Sequence, residues 1–96
     1  MDKQKTHRGF TFYEFKDSNG VPCSIQKSSS VDDKIWLGVD NANPQILASE
    51  TPQGGTGWVS YPVPENVSMN TRMHLDIDQA KMLIPILKKF IRTGEI

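Results

Sequence analysis

Apolar positions repeat at every second residue through much of the chain up to Leu75, and at every third or fourth residue after it. The first period is that of a half-buried strand, and the second is that of an amphipathic helix. Residues 9–15 (GFTFYEF) are aromatic and favour extended backbone, and the following Asp17, Ser18, Asn19 and Gly20 are turn formers, with Asn19-Gly20 able to take positive φ. They predict a hairpin. On the returning strand, residues 21–28, Val21, Cys23 and Ile25 alternate with Ser24, Gln26 and Ser28, so an apolar face and a polar face separate. After a polar connection at 29–33, residues 34–39 place Ile35, Leu37 and Val39 on one face and Trp36 with Gly38 on the other.

From 40 to 57 the breakers Asn43-Pro44, Thr51-Pro52 and Gly54-Gly55-Thr56-Gly57 predict a loop, within which residues 46–48 can pair briefly at an edge. Residues 58–61 read as a further extended segment, closed by Pro62 and Pro64 and so confined to an edge or a strand end. The last strand, 71–75, sends Thr71, Met73 and Leu75 one way and Arg72 and His74 the other. Asp76 with Gln79 forms a capping-box pattern, and Ala80, Leu83, Ile84, Leu87, Phe90 and Ile91 then make one apolar stripe. Lys88, Lys89 and Arg92 suit the negative end of the helix dipole, and Gly94 suits its left-handed cap. Pro85 removes one helical hydrogen bond, which predicts a kink or a fresh start there.

These elements predict an α+β fold, an antiparallel sheet of four or five strands with one C-terminal amphipathic helix packed on one face. Residues 1–8 are polar and aperiodic and read as a disordered tail; residues 9–96 read as a single domain. If the helix covers the apolar side, the opposite side gathers Ser24, Gln26, Ser28, Trp36, Arg72 and His74. Trp offers a flat contact and Arg a fixed fork of donors, so this set can stack on a planar group and hold a phosphate or carboxylate. An uncovered antiparallel face is polar by default, so the same residues also fit a plain solvated surface, or a homodimer contact anchored by Trp36.

Composition removes several classes of function. Eleven basic residues balance eleven acidic ones, which leaves no global field to draw the chain onto nucleic acid or an anionic membrane. One cysteine, no apolar N-terminal stretch and no run of about 20 apolar residues point to a cytoplasmic protein that does not enter a membrane. Two histidines and a cysteine far apart make no metal-ligand set, and Asp32, Asp33 and Asp40 read as solvated loop acids. His74 has no carboxylate or nucleophile at a recognisable spacing, and Cys23 falls on the core face, so no catalytic residue is expected. Gly54-Gly55-Thr56-Gly57 lacks the lysine ending of a phosphate loop, and no cofactor signature is present.

Residues 9–12 (GFTF), 23–29 (CSIQKSS), 35–38 (IWLG), Gly57-Trp58 with Tyr61-Pro62, and 72–75 (RMHL) with the Gln79 helix ending in Thr93-Gly94-Glu95 resemble a family of small bacteriophage and prophage proteins. The resemblance spans almost the whole chain. It implies a phage source and a compact fold, and it carries over no functional residue. By analogy with small phage accessory proteins it implies a non-catalytic binder in the bacterial cytoplasm that opposes host defence. Its partner would be a nucleotide-type signalling molecule, sequestered by a homo-oligomer with residues 40–57 as lid. The alternatives are direct inhibition of a host effector or nuclease, an enzyme using His74, and a structural or regulatory phage component with no ligand.

Overall fold

A computed structural model describes residues 1–28 and 31–96. The first two residues of the connection expected at 29–33 therefore lie outside the described residues. Among the described residues seven strands are present: β1 (Lys3–Lys5), β2 (Thr11–Lys16), β3 (Pro22–Lys27), β4 (Lys34–Val39), β5 (Gln45–Leu47), β6 (Trp58–Ser60) and β7 (Arg72–Asp76). A 3-10 turn spans Ala48–Glu50, and one helix, α1 (Ile77–Thr93), ends the fold. The strands divide into a five-stranded antiparallel sheet in the order β1-β2-β3-β4-β7 and a separate β5-β6 pair. The fold is thus α+β, with an antiparallel sheet and a single C-terminal helix.

The chain forms two compact units, one of residues Met1–Asp40 with Arg72–Ile96 and one of residues Asn41–Thr71. In the second, β5 and β6 pair around the 3-10 turn, with Ala48 buried and its amide bonded to the Gly57 carbonyl at 2.8 Å. The extended segment expected at 58–61 therefore belongs to this small hairpin and not to the main sheet. The fifth strand of the main sheet is instead Lys3–Lys5, expected as part of a disordered tail. It pairs with β2 because residues 6–9 form a tight turn, in which the Gly9 amide donates to the Thr6 carbonyl at 2.9 Å and the Phe10 amide to Thr6 Oγ1 at 3.1 Å.

The β2-β3 turn is built by Asp17, whose carboxylate accepts from the amides of Asn19 and Val21 at 2.8 and 2.9 Å. Only Gly20 there takes positive φ, at 83°, so Asn19 does not share the role expected of the pair. At the other end of the unit, Asp76 is both the last residue of β7 and the N-cap of α1. Its side chain accepts from the Gln79 amide at 2.8 Å while its own amide donates to Gln79 Oε1 at 3.0 Å, the expected capping box. Gly94 closes the helix at φ 75°, with its amide on the Phe90 carbonyl. The helix is assigned unbroken through Pro85. Pro85 projects away from the apolar stripe, where the Lys81 carbonyl it leaves free can be solvated.

The helix does not lie along the sheet as expected. None of its residues is buried, and an open groove of about 370 Å³ sits where Ile77 and Ala80 face Ile35 and Leu75. The reason is the junction: with no residue between strand and helix, α1 has no loop in which to turn back over the sheet. The apolar sheet face, with Ile25, Leu37 and Met73 opposite one another, is likewise only partly covered, and Met73 is 57 % exposed.

Replacing Asp76 with Ala removes one bond of the capping box and the acceptor for a helix amide. We expect a loss of about 1 kcal/mol, read as reduced helicity at 222 nm with the strand signal retained.

Candidate functional site

Strand register decides which side chains share a face, because a shift of one residue would invert every one of them. Gln26 lies opposite Trp36, and Trp36 opposite His74. Extended in the other direction, the same row continues through Phe12 to Gln4, so it crosses all five strands. The next row on this face is Glu14, Ser24, Gly38 and Arg72. The structure therefore brings Ser24, Gln26, Trp36, Arg72 and His74 to one face, as their alternation predicts. Ser28 follows β3 directly, with its amide on the Lys34 carbonyl at 3.1 Å. Ser24, however, is buried at 4 % exposure, so its hydroxyl is not presented to solvent.

The centre of the site is built around a gap. Arg72 sits opposite Gly38, the one position of β4 on this face without a side chain, and its two neighbours on that face are Trp36 and Asp40. The guanidinium reaches both. Its carbon lies 4.7 Å from the centroid of the Trp36 ring, within cation–π range, and Nη2 lies 3.4 Å from Asp40 Oδ1. His74 meets the same indole edge-on, with ring centroids 5.9 Å apart and planes at 90°. Asp40, Arg72, Trp36 and His74 thus form one connected chain of contacts.

Two donors in this chain have no acceptor. Trp36 Nε1 and Arg72 Nε are buried and without a hydrogen-bond partner among the described residues. A buried unpaired donor costs about 1–3 kcal/mol, and because both donors are closed to solvent an acceptor reaches either one only if the side chains move.

Arg72 is matched by Asp40, and Glu14 accepts from Gln4 Nε2 at 3.3 Å. The expected free arginine fork is therefore partly engaged, and Asp40, first read as a solvated loop acid, is its partner. Gly38 and Phe12 are the other residues that sequence reasoning passed over. Gly38 carried a signal, since glycine inside a strand marks a close approach, whereas Phe12 was hidden because its stretch was read only as hairpin. Among the described residues no cluster of His, Cys, Asp and Glu could hold a metal ion, and Cys23 is buried. Among the described residues no helix is long and apolar enough to cross a membrane.

The second unit holds a cleft of its own, about 560 Å³, between the 3-10 turn and β6, with Glu50, Thr51, Gln53 and Tyr61 among its walls. Its glycines and prolines had marked it only as a loop. No family model, curated protein or solved structure matches the chain.

Replacing Asp40 with Ala frees the guanidinium from its carboxylate. We expect a modest loss of stability, about 1 kcal/mol or less because both side chains are partly solvated, together with a change in Trp36 fluorescence as Arg72 leaves the ring.

Proposed function

We propose that the protein is a non-catalytic binding protein, and that the face carrying Trp36 is its binding surface. The observation that supports this reading is the Gln26-Trp36-His74 row with Arg72 stacked on the indole, in which two buried donors lack acceptors. A planar ligand rich in acceptors answers that need where Trp36 and Arg72 turn outward to meet it. A nucleotide-type signalling molecule fits, with its base against the half-buried Trp36 once Arg72 swings off the ring, acceptors for Arg72, and Gln26, Ser28 and His74 at its margin. Because Asp40 offsets Arg72, such a ligand carries little net charge or displaces Asp40 on binding. In the phage setting that the sequence resemblance suggests, sequestering such a signal in the host cytoplasm would oppose a bacterial defence system.

A second reading is direct inhibition of a host effector protein through the same face. It is favoured by the pairing of Arg72 with Asp40, which turns the site into a flat patch of Trp, Arg and His of the kind that anchors protein interfaces.

The test is retention of intact ligand. Purified protein is incubated with a panel of cyclic nucleotides and nucleotide-ribose signals, and the bound fraction is released by heat and identified by mass. The expected result is one ligand recovered unchanged from the wild type and lost at least tenfold in Trp36→Ala. Recovery of no ligand rejects the sequestration reading, and recovery of a chemically altered one rejects the non-catalytic reading.

A further inference from the structure

We propose that the cleft of the second unit binds a small organic cation, an ammonium ion carried on an apolar body, with Glu50 as counter-ion and Tyr61 as aromatic wall. The proposal does not rest on the nucleotide reading, since it concerns a different surface.

The cleft has fixed walls. Ile46 and Val59 are cross-strand partners on one face of the β5-β6 hairpin, while Leu47 and Trp58 share the other. Tyr61 continues the ladder with its amide on the Pro44 carbonyl at 3.0 Å, two residues beyond Val59 and so on the same face. Residues 50–54 form the opposite wall through tight turns. The Thr51 amide and hydroxyl both donate to the Ala48 carbonyl, at 3.0 and 2.7 Å, and the Gly54 amide donates to the Thr51 carbonyl at 3.0 Å. Gly54 and Gly55 follow at φ 64° and 110°, two left-handed residues in succession that turn the chain back toward β6. The glycine run that lacks the lysine of a phosphate loop thus closes this wall. Because the walls are bonded in place without a ligand, little ordering entropy is lost on binding. At about 560 Å³ the cleft falls within the range of small-molecule sites, roughly 300–1,000 Å³.

Charge selects the ligand. The lining is largely apolar, with Ile46, Pro52, Val59, Tyr61 and Pro62, and it carries one charged side chain, Glu50. The unit Asn41–Thr71 contains no lysine, arginine or histidine, and all eleven lysines and arginines of the chain belong to the other unit. Among the described residues no hydrogen bond or ion pair engages the Glu50 carboxylate. An unpaired carboxylate beside apolar walls draws cations into the cleft and turns anions away. The face of the Tyr61 ring, half exposed, offers an ammonium ion a second attractive surface. A phosphate-bearing molecule would meet only repulsion, and a neutral apolar one would leave Glu50 unanswered. Since Glu50 is itself exposed, its contribution is that of a solvent-screened pair, on the order of a few fold in affinity.

Two-dimensional NMR of the whole chain, titrated with benzyltrimethylammonium, benzyl alcohol and phenylacetate, compares a cation, a neutral molecule and an anion of similar size. The expected result is saturable shifts of the Val59 and Tyr61 signals with the cation, about fivefold weaker binding of benzyl alcohol, and none of phenylacetate. The indole signal of Trp58, on the other face of the hairpin, should stay in place. Glu50→Gln, a change at an exposed position, should lower the affinity for the cation about threefold and leave that for benzyl alcohol unchanged. Glu65→Gln removes the only other acid of the unit, away from the cleft, and should change neither. Equal affinities for the cation and benzyl alcohol overturn the proposal. Equal losses in Glu50→Gln and Glu65→Gln overturn it as well, since net charge and not a site would then attract the cation. Shifts confined to Trp36 and His74 overturn it by placing the cation elsewhere.

Discussion

Everything that can be said of the site depends on the backbone ladder joining β3 to β4 and β4 to β7. Side chains contribute little to fixing it from above, since the sheet lacks a deep core: among the described residues Cys23 is the only buried apolar side chain of the larger unit. Hydrogen bonding between strands fixes the register, and the register alone places Gln26, Trp36 and His74 in one row and Arg72 opposite a glycine. The contact of guanidinium, indole and carboxylate follows from that placement. Moving β7 by one residue would turn Arg72 and His74 to the apolar face and present Met73 to Trp36 instead.

The period-two alternation made most of this legible. Residues 21–28, 34–39 and 71–75 each separated an apolar from a polar set, and antiparallel neighbours in register bring like sets together. The helix was equally plain, because its capping box, apolar stripe and terminal glycine are all local features. What the sequence did not disclose concerned pairings at a distance. Alternation gives a strand two faces but not its neighbours, so it could not distinguish Lys3–Lys5 from residues 58–61 as the fifth strand. Lys3, Gln4 and Lys5 carry no apolar member at all, and nothing in them announces a strand until β2 is beside them.

The apolar stripe of α1 taught a different lesson. Its spacing showed that it must be covered, and the nearest available cover was assumed to be the sheet. The missing information was the length of the connection: Asp76 serves strand and helix at once, which removes the slack that a fold-back requires. Ser24 shows the converse limit. Its parity placed it on the polar face, as the structure does, but parity does not report accessibility, and the hydroxyl is buried there.

The short first strand bears on how the chain survives its own synthesis. Without Lys3–Lys5, the free edge of the sheet would be β2, whose Phe12, Tyr13 and Phe15 make it an aromatic template for uncontrolled strand addition. With it, the outermost backbone is three residues long and carries a positive charge at each end, so an approaching edge meets repulsion and soon runs out of partners. The first residues of the chain, the least conspicuous part of its sequence, are thereby a guard for solubility, and an aggregating N-terminal truncation would be explained without reference to the binding face.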